Sequence, residues 1–142
     1  MKLLAIDVGS SSVKAAILRG TRAVGKIARE EFATSFDGVR AEIDPDEILK
    51  AIRRAIGSLG DAVKQVEAIA PAVMSPAWVA MDKRGKPLTP IVTHQDRRSV
   101  VEANEIERRI GKARHLKLAG NRPFPGGISS STTEWFRRWL KR

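Results

Sequence analysis

Leu3-Leu4-Ala5-Ile6-Asp7-Val8-Gly9-Ser10-Ser11-Ser12-Val13-Lys14-Ala15-Ala16-Ile17-Leu18 is the stretch on which the reading of this chain turns. Leu3–Ile6 is a short apolar run, Asp7 to Ser12 is a turn of small residues, and Val13–Leu18 is apolar again. That pattern predicts two strands around a turn. Gly20 marks the next turn. Arg22 to about Ser35 predicts a third strand, with approximate alternation and a bulge at Gly25. The opening is therefore an antiparallel meander whose first turn is lined with hydroxyls and backbone amides.

A helix with clear start signals follows. Asp44 suits the N-cap, Pro45 the first helical position, and Asp46 and Glu47 the positive end of the helix dipole. Ile48, Leu49, Ile52, Ile56 and Leu59 form an apolar stripe, and Gly57 and Gly60 sit where the helix should stop. Val66–Val73 fits a central strand interrupted by Pro71. Trp78–Asp82 reads as another strand, and Lys83–Lys86 as a turn. Further on, Ser99-x-x-Glu102 has the form of a capping box for a helix to Ile110, closed by Gly111. Leu118–Ser131, rich in Gly and Pro, reads as a loop. Ser131-x-x-Glu134 opens a last helix with an apolar stripe of Trp135, Phe136, Trp139 and Leu140, running to Arg142 without a stop signal. The expected fold is α/β, a βββ-α-β core plus C-terminal helices, in the order of the ribonuclease-H-like fold. That fold serves both nucleases and phosphotransferases.

Composition narrows the chemistry. The 142 residues hold 26 Lys+Arg against 16 Asp+Glu, a net charge of +10. The length fits one domain. The absence of cysteine excludes a disulfide scaffold, a Cys-bearing zinc site and thiol catalysis. His94 and His115 lie too far apart in sequence to suggest a His-rich metal site. The N-terminal apolar run is too short for a signal peptide, and no segment approaches the ~20 apolar residues of a membrane span. The expectation is a soluble, cytoplasmic protein with no membrane partner. Its basicity favours anionic partners without choosing among them.

The first turn is the strongest chemical candidate. A polyphosphate needs close backbone approach, hydrogen-bond donors and neutralising charge. Gly9 allows the approach, Ser10, Ser11 and Ser12 supply donors, and Lys14 supplies charge. Asp7, at the strand end, can hold Mg2+ through water, as hard oxygen ligands do. A plain β-turn, in which Asp and Gly satisfy local geometry, reads equally well from the motif alone. The βββ-α-β context favours phosphate.

Three stretches, in order, resemble the N-terminal part of the FGGY carbohydrate kinases. Leu4–Lys14 is similar to the family's first phosphate motif, D-x-G-T-x-S-x-K, with Ser10 in place of threonine. That motif is shared across the actin, sugar kinase and Hsp70 superfamily. Pro87-Leu88-Thr89-Pro90-Ile91-Val92-Thr93-His94-Gln95-Asp96-Arg97-Arg98 resembles P-x-I-x-W-x-D-x-R. Gly120-Asn121-Arg122-Pro123-Phe124-Pro125-Gly126-Gly127, before the Trp135 helix, resembles G-N-x-x-x-P-G. The resemblance implies that Asp7, Gly9, Ser10, Ser11, Ser12 and Lys14 face ATP phosphates and Mg2+. It also implies that Ser75, Asp96 and Arg98 lie on the side of a sugar or polyol substrate. For Asp96 and Arg98 a structural ion pair holding a loop is an equal alternative. For His94, which stands where relatives have tryptophan, a partly buried hydrogen-bonded role is the better expectation.

The resemblance further implies that the aspartate taking the substrate proton, the second phosphate motif and the adenosine pocket lie beyond these residues. The expectation is the N-terminal portion (1–142) of a kinase, not competent alone, completed by a C-terminal half or by a second copy of the chain. Two other readings stand beside it. A metal-dependent nuclease would account for the charge, but needs carboxylates converging on Asp7; Glu47 is one candidate, and Ala70-Pro71-Ala72 offers none. A non-catalytic binding module completed by a separate chain is the third. The basic face of the last helix reads as the solvated side of a core stripe, with stickiness or self-association if the stripe is uncovered.

Overall fold

The computed structural model describes residues 1–139, which fall into two compact units. The first comprises Met1–Thr34 and Asp44–Met74, and the second Ser35–Ile43 with the chain from Ser75 onward.

In the first unit, β1 (Lys2–Val8), β2 (Ser12–Arg19), β3 (Arg22–Glu31) and β6 (Ala68–Val73) form one sheet in the order β3-β2-β1-β6. β1 and β2 pair antiparallel, as do β2 and β3, whereas β6 runs parallel to β1. The bulge falls where it was expected: the register jumps from Ala16↔Ile27 to Ile17↔Val24, and Gly25 there adopts a φ of +82°. β3 does not reach Ser35. Its pairing with β2 ends at Glu31, after which buried Phe32 donates its amide to the Ser11 carbonyl at 3.1 Å. β6 is the outermost strand of this sheet among the described residues, not a central one. Pro71 sits within it without breaking it, paired with Ile6, as edge strands tolerate.

α1 (Pro45–Gly57) packs against β2 and β3. Asp44 caps it as expected, its Oδ1 accepting from the Asp46 amide at 2.9 Å. The buried face is Ile48, Ala51 and Ala55, the two alanines allowing close approach to the sheet. Leu49, predicted to lie in the stripe, is exposed, about 100° round the helix from Ile48.

The second unit holds a three-stranded sheet of β4 (Ser35–Asp37), β5 (Arg40–Ile43) and β7 (Ile91–Val92) in the order β4-β5-β7. The segment Trp78–Asp82 is not a strand. It makes two isolated bridges, Trp78↔Val92 and Met81↔Pro87, around the expected turn at Lys83–Lys86. α2 (Val100–Ile110), α3 (Lys112–Ala119) and α4 (Ser129–Trp139) complete the unit. α3 was not predicted, and α4 starts two residues before Ser131. Neither expected capping box forms. Ser99 makes no side-chain cap bond, and Glu102 is buried with its Oε1 3.4 Å from Arg138 of α4. Ser131 is buried inside α4, its hydroxyl donating to the Phe124 carbonyl at 2.6 Å. The final stripe is core at Phe136, which stacks on Trp78 at 4.6 Å between centroids, but Trp139 is half exposed. Leu140 and the predicted helix end at Arg142 lie outside the described residues. Among the described residues no helix is long and apolar enough to cross a membrane.

Candidate functional site

The parallel pairing of β1 with β6 brings the carboxyl ends of two neighbouring strands together, the place where open α/β sheets bind ligands. Asp7 is at the end of β1, exposed, with its Oδ2 3.7 Å from Lys14 Nζ, its cross-strand partner on β2. Between them the chain turns tightly: the Gly9 amide donates to the Ser12 carbonyl at 2.9 Å. A Cβ on Gly9 would sit 3.3 Å from that same oxygen, a tight contact that the backbone could take only by giving a few tenths of an ångström. Ser11 is pinned from the other side through its carbonyl, the acceptor for Phe32. Ser10 and Ser11 are exposed, and neither hydroxyl has a partner among the described residues. Ser12 differs from them, being buried at the start of β2.

This turn offers two free hydroxyls, an ammonium and a carboxylate at one strand end. Its donors and its tightly turned backbone suit a phosphate chain, and the exposed carboxylate suits a hydrated divalent cation. The same arrangement does not suit two-metal hydrolysis. Ala72 is the residue paired with Asp7 on β6, and no group of three His, Asp or Glu side chains able to hold a metal occurs among the described residues. Nothing here supports the nuclease reading.

β6 leads directly onward, with the Met74 amide donating to the Val8 carbonyl at 2.8 Å and Ser75, exposed, next in the chain. Within the second unit Asp96 is fully buried, and both its oxygens are engaged. Oδ2 accepts from the Ala41 amide at 2.9 Å, and Oδ1 from the Arg98 amide at 3.0 Å. The Arg98 guanidinium meets the same carboxylate through Nε at 2.9 and 3.0 Å and Nη2 at 2.7 Å, and Nη2 also bonds Glu42. Burial opposes the charge on Arg98, yet hydrogen bonds and attraction from Asp96 and Glu42 outweigh it and raise its pKa further. The pair thus clamps the 94–98 loop onto β5, with the Arg97 amide adding a bond to the Val39 carbonyl at 2.8 Å.

The expectation for His94 is overturned. His94 is exposed, whereas the buried, hydrogen-bonded histidine is His115, whose Nδ1 lies 2.8 Å from the Asn121 carbonyl oxygen. No local spacing signals Glu42, which meets Arg98 from β5 across more than fifty residues of chain.

Comparison with known proteins converges on one group. Residues 2–141 match the model of the N-terminal domain of the FGGY family of carbohydrate kinases. The chain is 26% identical to a xylulose kinase of Streptomyces coelicolor over 141 residues, covering 97% of this chain and 28% of that protein. It is 26% identical to a glycerol kinase of Rhizobium meliloti over 124 residues, covering 83% and 25%. The crystal structure of a xylulose kinase from Brucella ovis superposes with a TM-score of 0.89 at 26% identity, over 99% of this chain and 30% of that one. The chain therefore spans less than a third of the length of the relatives it matches.

Proposed function

The chain belongs to the FGGY family of carbohydrate kinases, and from that premise we propose that it is the phosphate-side and sugar-side portion of an ATP-dependent kinase acting on a hydroxyl of a sugar or polyol. The single observation that carries this is the Asp7–Lys14 turn at the carboxyl ends of parallel β1 and β6. ATP, when bound, supplies the phosphoryl group, and Mg2+ offsets the charge of its phosphates. Each residue then has a task. Gly9 lets backbone approach the phosphates, Ser10 and Ser11 donate hydrogen bonds, and Lys14 neutralises negative charge. Asp7 holds the hydrated cation, and Ser12 orders the turn from its buried position. On the sugar side, exposed Ser75 offers a hydroxyl to the substrate. Asp96 and Arg98 act on the substrate through the loop they clamp, which presents His94 and Gln95.

Phosphoryl transfer needs positioning and charge stabilisation from several sides, and these residues supply one of them. The proposal therefore includes a C-terminal portion, on this or another polypeptide, that completes the site. Amide NMR of the 142-residue chain titrated with Mg·ATP tests the phosphate reading. Weak binding is expected, with shifts confined to Gly9–Lys14 that vanish in Asp7→Ala and Lys14→Ala. Shifts elsewhere only, or nanomolar affinity for the chain alone, would overturn it.

A further inference from the structure

The loop Pro123–Gly127 has no part in the scheme above, yet its two glycines make the tightest backbone approaches of any glycine in the chain. A Cβ on Gly126 would lie 2.4 Å from the His94 carbonyl oxygen and 2.8 Å from that of Asp96. A Cβ on Gly127 would lie 2.8 Å from the Pro76 carbonyl oxygen and 2.9 Å from Ala77 Cα. Both glycines hold positive φ, +90° and +74°. Arg97 engages the same two carbonyls, its Nη1 donating to His94 O and to Asp96 O, each at 2.9 Å. Its guanidinium also lies over the Phe124 ring, 5.2 Å from the centroid. The Phe124 carbonyl is fixed in turn by the Ser131 hydroxyl of α4.

One layer of backbone is thus pressed against two others, the 75–77 segment and the 94–98 loop. These are the segments from which Ser75, His94 and Gln95 project, all three exposed. We propose that Gly126 and Gly127, together with Arg97, are positioning residues for the sugar or polyol. They set the spacing between the segment that carries Ser75 and the loop that carries His94 and Gln95. The inference rests on the sugar-side reading of this unit. Its physical basis is that a methyl group on either glycine meets main-chain atoms, which cannot rotate aside as side-chain ends do. At Gly126 the His94 carbonyl would have to retreat by about 1 Å to reach ordinary contact, which moves the loop that carries His94 and Gln95.

The test is amide NMR of the 142-residue chain titrated separately with D-xylulose, with glycerol and with Mg·ATP. In the native sequence, one of the two hydroxylated probes should shift Ser75, His94 and Gln95. Gly126→Ala and Gly127→Ala should weaken that probe about tenfold or more while leaving the Mg·ATP shifts at Ser10–Lys14 unchanged. Arg97→Ala adds no bulk and keeps the test decisive if a glycine variant does not fold. It should also weaken the probe, and Arg97→Lys should recover part of the loss, since an ammonium still donates to one carbonyl. Unchanged probe affinity in Arg97→Ala and in the glycine variants that fold would overturn the positioning role. So would loss of the probe and Mg·ATP responses together, which marks a general structural defect. No response to either probe in the native sequence would overturn the sugar-side reading itself, and the positioning role with it.

Discussion

Asp96 shows how much one side chain can hold. Its carboxylate has no exposed surface, and it satisfies the Ala41 amide, the Arg98 amide and the Arg98 guanidinium at once. Removing one member of a buried pair leaves the other charge uncompensated, which costs about 3–5 kcal/mol. Asp96→Asn keeps the shape and removes the charge, leaving Arg98 with Glu42 as its carboxylate. The expected outcome is a smaller loss, about 1.5–3 kcal/mol, since Glu42 still pairs with Arg98, seen in urea-unfolding experiments together with an altered 94–98 loop. A loss below about 1 kcal/mol, the level of an exposed ion pair, would mean that the pair does not clamp the loop. The motif around Asp96 and Arg98 was legible in the sequence, but clamp and ligand contact stood there as equal alternatives. The burial of the pair was not legible, because it depends on β5, more than fifty residues away, lying alongside. The two histidines differ in kind: His115 is buried with its Nδ1 2.8 Å from the Asn121 carbonyl oxygen six residues on, yet no residue pattern around it or around exposed His94 signals the difference.

At the scale of the element, legibility followed how local the stabilising contacts are. α1 could be read to its first residue because Asp44, Pro45 and the acidic first turn all act within a few positions. α2 runs as expected from Ser99 at its N-cap to Ile110 with Gly111 beyond, although Glu102 is taken up by Arg138 instead of capping, whereas Ser131 does not mark the start of α4 and its hydroxyl is taken up by Phe124. α3 was overlooked because its first turn has no acidic residue and Gly111 before it offers no side-chain cap. Ion pairs within α4, and from it to α2, nevertheless leave a clear electrostatic signature. Hydrogen bonds from Arg137, and then from Arg138, hold the Glu134 carboxyl down at about 2, and Arg138 likewise lowers Glu105 on α2. An acid depressed in the folded state contributes stability that is present above its unfolded value and lost as pH falls through the folded one. For Glu134 that window runs from about 4.5 down to about 2. Amide signals of α4 should therefore persist as pH is lowered past 4.5 and weaken on the approach to 2, and Glu134→Gln should abolish that step. Loss of α4 centred near 4.5, with the native glutamate in place, would show that the ion pairs do not act in solution.

On the scale of the whole molecule, charge and apolar surface are distributed in ways the totals conceal. The first unit, which bears the phosphate turn, has ten basic and eight acidic residues, whereas the second has sixteen and eight. The net charge of +10 is therefore not the footprint of the phosphate turn, whose own cation is Lys14. The apolar surface has a sharper consequence. Every residue of β6 is exposed, Ile69 by 64% and Val73 by 70%, and the strand has no neighbour beyond it among the described residues. An uncovered strand of that kind offers unpaired backbone groups and apolar side chains to any similar edge. Pro71 and flanking Glu67 limit this only in part. The chain should associate with itself in a concentration-dependent manner, seen as a rising weight-average mass in sedimentation velocity. Added salt should leave that association intact or strengthen it, because apolar burial and not ion pairing drives it. Ile69→Lys and Val73→Lys, each placing a charge on the edge, should return the chain to monomer without moving the core signals of Val13 or Ala51. Association that salt dissolves would instead assign it to the basic second unit, and a chain that stays monomeric at every concentration would show that β6 is protected from pairing.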